Sequence, residues 1–381
     1  MPTMEKNNKT LNVPHLRFPE FSGEWETSIL LDVCEINPKT PSLDEEFVYI
    51  DLESVEKGTI LHENVISRDD APSRAQRVLK FNDILFQCVR PYQKNNLLFS
   101  GDTHTLQYVA STGYAQIRTD KQNPAFLYQL LNTQKFVDQV MLRCTGTSYP
   151  AINANDLSKI PICYPLQIEE QNKIAKLLSL LDNRIETQKK IIEDLKKLKD
   201  AIRTKLFRHI ESTCVSYDEI RNMLDYEQPS GYLVSSTEYS DNYQTPVLTA
   251  NKAFILGYTD EVHGIYDNGE CIILDDFTMD VKYVTFPFKI KSSAIKILTA
   301  KKDVDLYFMY EYLLHLGLVS EEHKRHYISE IEPMTLSRPT LQEQKRISQT
   351  LKALDMQVQS ANRLNDLLLK QRKYITSQMF I

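Results

Sequence analysis

Residues 169–207 read EEQNKIAKLLSLLDNRIETQKKIIEDLKKLKDAIRTKLF, and residues 342–380 read QEQKRISQTLKALDMQVQSANRLNDLLLKQRKYITSQMF. The two stretches align without a gap at an offset of 173 residues. Identical residues fall along the whole alignment, as in the pairs Glu170/Glu343, Gln171/Gln344, Asp182/Asp355 and Phe207/Phe380. A repeat of this length predicts a fold built from two copies of one plan.

Both stretches have the pattern of a long helix with a coiled-coil seam. Apolar residues recur at alternating steps of four and three, and neither stretch contains Pro or Gly. We expect the first helix to span residues 172–207, about 54 Å at roughly 1.5 Å per residue. Polar residues interrupt the seams at Gln188, Lys199, Asn365 and Arg372. The predicted pairing seam consists of Ile174, Leu178, Leu181, Ile185, Ile192, Leu195, Ile202, Leu206, Ile347, Leu351, Leu354, Val358, Leu368, Ile375 and Met379.

We predict that the two helices pair with each other, antiparallel and related by a pseudo-twofold axis. A polar residue in such a seam lowers stability but fixes register and partner. The alternative is two ordinary amphipathic helices, each packed on its own domain.

Charge divides the chain at the same places. Segments 1–165 and 209–338 carry net charges of −4 and −10, whereas segments 166–208 and 339–381 carry +4 each. We therefore predict four parts. They are a first globular domain with its opening segment (1–165), a central helix (166–208), a second globular domain (209–338) and a C-terminal helix (339–381).

Each globular segment mixes short β-like runs with helical stretches. The predicted strands are 47–52, 84–89, 106–110, 160–163, 246–249, 271–275, 283–288, 294–298 and 334–336. The predicted helices are 126–139 and 306–315. The expected fold is α+β: two mixed α/β domains separated by two long antiparallel coiled-coil helices.

Composition narrows the class of protein. Of 381 residues, 42% are hydrophobic and 25% charged, as in a globular protein. The six cysteines are widely scattered, which favours free thiols in a reducing compartment, and we expect a cytoplasmic protein. The sequence shows neither a secretory leader nor an apolar run long enough to span a membrane, so we expect no membrane partner.

The common catalytic motifs are missing from the sequence. There is no Pro-Pro for the loop that holds a flipped adenine, no GxGxxG, and no GxxxxGK[ST]. HExxH and paired Cys/His clusters are also missing, so we expect no bound metal. The chain is therefore predicted to be a binding or assembly module without catalytic residues or a cofactor of its own.

Basic, aromatic and hydroxyl residues in predicted loops are candidates for contact with DNA. Arg and Lys neutralise phosphates, and Arg reads base edges. For any one of them, a solvated surface residue is the simpler interpretation. The predicted DNA-binding residues are Arg74, Arg77, Arg90, Tyr92, Lys94, Thr145, Thr147, Ser148 and Tyr149 in the first domain, and Lys252, Lys282, Tyr283, Lys324, Arg325, His326 and Tyr327 in the second.

The acidity of both globular segments needs an explanation, because a nucleic-acid-binding domain is usually basic. We hypothesise that partner subunits supply much of the contact with phosphates. The salt dependence of DNA binding by the isolated chain and by the assembly tests this, and equal slopes would contradict it.

The sequence resembles the specificity subunits of type I restriction-modification enzymes over nearly its whole length. Residues 14–25, PHLRFPEFSGEW, are similar to the opening segment of that family. PICYPLQIEEQNKIAKLLSLLD and RPTLQEQKRISQTLKALD resemble its central and C-terminal conserved regions. The stretches TGTSYPAINANDLSKIPI and DDFTMDVKYVTFPFKIKSSAIKIL are similar to its target-recognition domains, although the second domain lacks a counterpart of TGTSYP.

The resemblance implies a non-catalytic DNA-binding subunit of a prokaryotic defence system. Two target-recognition domains would each read one half of a split, asymmetric site on double-stranded DNA. The chain would recruit two modification subunits, which bind S-adenosylmethionine and methylate adenine N6. Two restriction subunits, which use ATP and Mg, would join in systems that also cleave.

Two other classes of protein compete with this interpretation. One is a coiled-coil scaffold, without enzymatic activity, that tethers two ligand- or protein-binding domains. The second, a fused methyltransferase–endonuclease, conflicts with the missing cofactor and base-holding motifs. Co-purification of a methyltransferase subunit distinguishes the DNA-reading subunit from the scaffold.

Overall fold

The computed structural model describes residues 12–249, 254–319 and 326–381. Contacts divide the chain into two compact units. Unit 1 comprises residues 1–188 and 364–381, and unit 2 comprises residues 189–363. The division falls inside both long helices, so each unit combines one globular segment with a part of each helix.

Unit 1 holds two four-stranded sheets and several short helices. One sheet has the order β6-β3-β10-β7, with β10 parallel to β3, and the other has the order β2-β11-β8-β9. Its strands are β1 (Glu26–Ile29), β2 (Glu35–Ile36), β3 (Glu46–Ile50), β4 (Val55–Glu56), β5 (Thr59–Ile60), β6 (Asn64–Ser67), β7 (Ala75–Val78), β8 (Ile84–Gln87), β9 (Leu97–Leu98), β10 (Gln107–Ser111), β11 (Tyr114–Arg118) and β12 (Pro161–Tyr164). The short helices are α1 (Leu30–Val33), α2 (Pro124–Leu131), α3 (Gln134–Met141) and α4 (Ala154–Ser158).

The long helix α5 (Ile168–Thr213) begins in unit 1 and ends in unit 2. It has 46 residues and is about 69 Å long at roughly 1.5 Å per residue. The sequence predicted a shorter helix, 172–207. The additional turn after Phe207 is held because Phe207 and Ile210 are buried in the core of unit 2.

Unit 2 holds a four-stranded sheet of order β14-β20-β17-β18 and a three-stranded sheet of order β16-β15-β19. Its strands are β13 (Tyr217–Glu219), β14 (Leu224–Glu227), β15 (Thr245–Leu248), β16 (Ile255–Thr259), β17 (Cys271–Asp275), β18 (Val281–Val284), β19 (Lys289–Ile290), β20 (Ile295–Ala300) and β21 (Thr335–Ser337). Its helices are α6 (Ile220–Met223), α7 (Leu306–Leu316) and the second long helix, α8 (Leu341–Met379), which ends in unit 1.

The two long helices run antiparallel. In unit 1, Ile174 and Leu178 near the start of α5 share a core with Met379 at the end of α8. In unit 2, Phe207 near the end of α5 shares a core with Ile347 near the start of α8. Opposite ends therefore meet in each unit. The predicted α+β architecture with paired antiparallel helices is confirmed.

Each globular segment joins its long helix through the same local arrangement. In unit 1, β1 pairs antiparallel with β12, which precedes α5. In unit 2, β13 pairs antiparallel with β21, which precedes α8. A one-turn helix, α1 or α6, follows the first strand in each case. The repeat therefore extends from the helices into the strands that lead into them.

The helix predicted at 126–139 is two helices. Asn132 ends α2, and Thr133 caps α3 by accepting a hydrogen bond from the Phe136 N–H. Thr side chains compete for backbone groups in this way and favour helix starts. The apolar pattern continues across the break, which explains why periodicity alone did not reveal it.

The predicted seam residues all have buried or half-buried side chains. In unit 1, Ile174, Leu178 and Leu181 are each at most 8% exposed. In unit 2, Ile347 and Leu351 are at most 1% exposed. The described residues contain no helix long and apolar enough to cross a membrane.

Candidate nucleic-acid interface

In unit 1 two loops lie side by side and bring most of the predicted contact residues together. Ala151 forms bridges with both Val89 and Thr145, and the Arg90 N–H donates to the Pro150 carbonyl at 2.8 Å. The loop 145–150 is thereby fixed against the loop 89–94. Both loops are thus presented as one surface of unit 1.

Backbone geometry in these loops depends on a few special positions. Gly146 has φ +89°, and a Cβ there would approach the Tyr149 carbonyl oxygen to 3.0 Å. Arg90 and Lys94 adopt the left-handed region, with φ of 54° and 56°, on either side of the short turn at Pro91–Gln93. Left-handed residues other than Gly are uncommon and cluster at functional sites.

Arg90 and Tyr149 form the centre of this surface. The Arg90 guanidinium lies 4.4 Å from the centroid of the Tyr149 ring. Tyr149 is 63% exposed and Tyr92 is 51% exposed, so both rings face solvent. A planar guanidinium held on a ring has its remaining donors directed outward, which suits a base edge or a phosphate.

Hydroxyl groups surround this pair. Thr145, Thr147 and Ser148 are all exposed and lie in the same loop as Tyr149. Hydroxyl and backbone N–H groups in a tight loop are common phosphate ligands. The loop therefore offers neutral donors next to one cation.

Lys94 is half-buried, and its ammonium group is hydrogen-bonded within unit 1. Its Nζ donates to the Asn132 carbonyl at 3.1 Å and to Gln134 Oε1 at 3.0 Å. Burial and then the charges of Arg372 and Lys373 lower the pKa of Lys94. Lys94 therefore ties the loop to the α2–α3 junction.

Arg74 immediately precedes β7, and Arg77 lies within it. Arg74 is exposed, whereas Arg77 is half-buried and its Nε has no hydrogen-bond partner among the described residues. Burial lowers the pKa of Arg77, and the Cys88 thiol, whose own pKa burial raises to about 12, is close enough to interact with it. Arg77 therefore lies beside the strand that leads into Arg90.

The predicted DNA-contact residues described in unit 2 are not brought together on one surface. Lys282 pairs with the exposed Asp280 at 3.0 Å. The Tyr283 hydroxyl bonds to Glu270, and its ring packs on Tyr307 at 5.0 Å and on Tyr310 at 5.5 Å. Burial, and then the bond to Glu270, raises the pKa of Tyr283. Tyr283 is thus engaged within the fold of unit 2.

His326 and Tyr327 are buried rather than presented to a ligand. They are 5% and 0% exposed, and both backbone N–H groups donate to Asp276, at 2.9 and 2.7 Å. Asp276 is itself paired with the buried Lys296 at 3.3 Å. Neither side chain offers a surface to DNA in this conformation. Lys252, Lys324 and Arg325 lie outside the described residues.

Sequence reasoning missed one set of residues that the structure joins to the helices. Gln129 in α2 and Glu311 in α7 are 2% and 0% exposed, and each contacts a polar seam residue of a long helix. Gln129 is the single amide in the apolar helix PAFLYQLL, and Glu311 is the single acidic residue in the helix LYFMYEYLLHL. That isolation was the available signal, because a buried polar group needs a partner.

The described residues hold no group of His, Cys, Asp and Glu side chains arranged to bind a metal ion. The surface around Arg90 and Tyr149 combines stacking rings, hydroxyls and a guanidinium. These groups suit binding to a polyanion with exposed base edges.

Comparison with known proteins gives a consistent result. A family described as the type I restriction modification DNA specificity domain matches residues 22–197 and again residues 220–370. The two matches cover both globular segments and most of both long helices. The repeat therefore includes each globular segment together with the long helix that follows it.

Individual relatives carry names from the same family. The EcoR124I/EcoR124II specificity subunit of Escherichia coli is 50% identical over 110 residues, which is 27% of either chain. The MjaX specificity subunit of Methanocaldococcus jannaschii is 24% identical over 411 aligned positions, covering 96% of this chain and 95% of that one.

Solved structures show the same fold at low identity. The type I system S subunit from M. genitalium has a TM-score of 0.65 and 15% identity, over 97% of this chain and 99% of that one. A chain from a structure describing assembly and conformational transition of a type I system has a TM-score of 0.60 and 21% identity, over 93% and 97%.

Proposed function

The chain belongs to the type I restriction-modification DNA specificity family, and from this premise we propose that it reads a split, asymmetric DNA sequence for a methyltransferase complex. Each globular domain would read one half of the site. The observation that supports this most is the pairing of a duplicated helical plan with dissimilar domains. Two unlike domains on equivalent supports recognise two unlike half-sites.

In unit 1 we propose that Arg90, Tyr92 and Tyr149 contact the DNA directly. Their exposure and the cation–π contact between Arg90 and Tyr149 support this assignment. Thr145, Thr147 and Ser148 would bind phosphates beside them. In unit 2 we retain Lys282 as a contact candidate, together with Lys252, Lys324 and Arg325 from the sequence pattern.

We further propose that the long helices set the distance between the two half-sites. Two recognition surfaces about one DNA turn apart face the same side of the duplex. Linking them on a stiff helical pair raises their effective concentration on DNA and makes spacing part of the specificity. The length of α5, about 69 Å at roughly 1.5 Å per residue, is sufficient for a spacer of this size.

Modification subunits are the proposed protein partners, two per chain. Exposed apolar side chains on the long helices support this: Ile191 of α5 is 45% exposed, and its repeat equivalent Leu364 of α8 is 40% exposed. Equivalent apolar positions on a duplicated helix suit two copies of one partner. S-adenosylmethionine, and ATP and Mg where restriction subunits join, would be bound by those partners, and adenine N6 would be the methylated atom.

Methylation mapping tests the proposal. The chain is expressed with its modification subunit in a host without adenine methylation, and modified adenines are mapped by long-read sequencing. We expect one bipartite asymmetric motif, methylated on both strands. A contiguous motif, or no methylation although the two subunits co-purify, would contradict it and favour a tethering scaffold.

A further inference from the structure

In each unit a polar cluster lies where a short helix meets the long helices. Its member on the short helix is buried, whereas the side chains of Asp182 and Asp355 are 38% and 30% exposed. In unit 1 the cluster consists of Gln129, Asp182, Arg372 and Thr376. Arg372 donates to Asp182 Oδ1 at 2.9 Å and to Gln129 Oε1 at 2.9 Å, and the Gln129 amide donates to Asp182 at 2.9 Å. Asp182 and Arg372 carry the only formal charges of this cluster, and they cancel.

The cluster of unit 2 consists of Glu311, Asp355, Lys199 and Arg203. Lys199 Nζ lies 2.7 Å from Glu311 and 2.6 Å from Asp355. Arg203 Nε donates to the other Glu311 oxygen at 2.7 Å. Glu311 is 0% exposed and Lys199 is 8% exposed. Within these four residues, two acids and two bases again give a neutral cluster. Arg203 also pairs with Asp200 at 2.9 Å, but the Asp200 side chain is 64% exposed and its charge is therefore screened by solvent.

The two clusters are equivalent position by position. On the long helices the 173-residue offset relates Asp182 to Asp355, Lys199 to Arg372 and Arg203 to Thr376. On the short helices the N-caps Asn123 and Asp305 are equivalent, and at the same offset of 182 residues Gln129 is equivalent to Glu311. Two positions keep their charge between the clusters, and the other two change together.

Each half of the chain contributes two residues to each cluster. The first half, residues 1–213, contributes Gln129 and Asp182 to one cluster, and Lys199 and Arg203 to the other. The second half, residues 217–381, contributes Glu311 and Asp355, and Arg372 and Thr376. Every cluster therefore combines groups from both halves.

A pair of like halves would leave the clusters unbalanced. Two first halves would bury Gln129 and Asp182 against Lys199 and Arg203, with a net charge of +1 per cluster. Two second halves would bury Glu311 and Asp355 against Arg372 and Thr376, with a net charge of −1. An excess charge among the buried groups is destabilising, because its desolvation is not offset by a buried partner. Asp200 and its repeat equivalent Lys373 are exposed, so their charges are screened and offset this excess only weakly.

One aromatic contact between the two halves occurs in both units. The bonds of Gln171 and Gln344 to the N-cap backbones of α2 and α7 lie within one half each and do not join the halves. Phe380 packs on Phe126 as Phe207 packs on Phe308, at 5.5 and 5.4 Å. This aromatic contact would hold either combination of halves, so a preference must come from groups that differ between the units. They include the two polar clusters and the bond from the Leu16 N–H to the Gln378 carbonyl in unit 1.

We propose that these two clusters make each half of the chain select the other half rather than a second copy of itself, and that Gln129 and Glu311 decide this choice. Exchanging one amide with one carboxylate should reverse the preference, because like pairs then become neutral and unlike pairs become charged. The inference does not depend on DNA reading, and its failure would leave the proposed function intact.

The test cleaves the assembled full chain and lets its halves exchange. A protease site is placed at residues 214–216, where Val215 is 94% exposed. After cleavage, the protein is mixed with a mass-labelled copy, and native mass spectrometry counts like and unlike pairs. The wild-type halves should exchange while forming at least tenfold more unlike than like pairs.

The decisive variant is Gln129→Glu with Glu311→Gln, two substitutions that preserve shape and net charge. Like pairs should become the majority. The control is Gln357→Glu with Glu193→Gln, both at exposed positions, which should behave as the wild type. Unlike pairs that still dominate in the decisive variant would overturn the proposal, as would like pairs in the wild type at statistical proportions.

A measurement on the uncleaved chain covers the case in which the exchanged variant does not assemble. Gln129→Glu and Thr376→Arg should each lower the melting temperature, and the two together should recover at least half of the summed loss. The double variant rebuilds the charge balance of unit 2 in unit 1. Additive losses would show that the clusters are not matched by charge and would overturn the inference.

Discussion

Two equivalent glutamines, Gln171 and Gln344, make the same hydrogen bonds between a long helix and its globular domain. Gln171 Oε1 accepts the Asn123 N–H at 2.8 Å, and its amide donates to the Pro165 carbonyl at 2.8 Å. Gln344 does the same with Asp305 and Pro339, at 2.8 and 2.9 Å. Both glutamines are at most 1% exposed, so the bonds are shielded from water.

Replacing either glutamine should therefore destabilise its own unit. Gln171→Ala or Gln344→Ala leaves a buried N–H and a buried carbonyl without partners, at a cost of about 1–3 kcal/mol. Thermal unfolding of the full chain measures the loss. The exposed Gln349→Ala is the control and should leave the melting temperature unchanged, and an equal shift in all three variants would contradict the argument.

Arg90 should affect recognition of only one half-site. Arg90→Ala removes a guanidinium that is positioned on the Tyr149 ring, and we expect DNA affinity to fall about ten- to a hundredfold, the range of one good base contact. Fluorescence anisotropy with DNAs varied in each half-site measures affinity and specificity. The loss of discrimination should be confined to one half.

The exposed Arg208, on the part of α5 within unit 2, provides a control of equal charge. Arg208→Ala should retain the sequence preference of the wild type. A uniform loss of affinity in Arg90→Ala, with discrimination intact in both halves, would assign Arg90 to a phosphate instead.

The sequence predicted burial along the long helices but did not predict burial that depends on contacts between distant residues. The step pattern identified seam residues such as Leu178 and Leu351, because their burial follows from helical periodicity alone. The burial of Tyr327 depends on Asp276, 51 positions earlier in the chain, which binds its N–H. Such a contact is set by tertiary packing, and neither composition nor spacing encodes it.

Among the secondary-structure elements, the long helices could be predicted directly from the sequence, whereas the positions of the loops could not. Gap-free repetition and the lack of Pro and Gly predicted α5 and α8, with errors only at their ends. The position of the 145–150 loop against Arg90 could not be predicted, because it depends on the isolated bridges made by Ala151. The helix break at Thr133 has the same origin in a local cap.

The outward faces of the long helices should be required for partner binding. Ile191→Glu with Leu364→Glu places charges at the proposed docking positions, and we expect the affinity for the modification subunit to fall at least tenfold. Co-purification and isothermal titration calorimetry measure the loss.

A matched control places the same charge on another face of each helix. Lys189 and its repeat equivalent Asn362 are exposed and lie about 200° around the helix from Ile191 and Leu364, at roughly 100° per residue. Lys189→Glu with Asn362→Glu should retain the partner. Equal loss in both variants would mean that added charge alone is responsible.

For the whole molecule, the proposed spacer makes a quantitative prediction. Four residues inserted within 185–195 of α5, and four at the equivalent place in α8, would lengthen each helix by about 6 Å at roughly 1.5 Å per residue. At about 3.4 Å per base pair, the gap in the methylated motif should grow by one to two base pairs. Methylation mapping of the variant reads the gap directly.

An insertion elsewhere separates length from general disturbance. Four residues placed between Asp102 and Thr103, in an exposed turn of unit 1, should leave the motif unchanged. A motif with its original gap in the helix variant would reject the spacer, even if both half-sites are still recognised.

The duplicated Gln171 and Gln344 junctions have a consequence for how such genes diversify. Both glutamines make the same bonds to the N-cap of a short helix. A globular domain introduced by genetic recombination near either junction would therefore find the same hydrogen-bond partners there. New target sequences could then be inherited in single steps, while the machinery that depends on the helices continues to work.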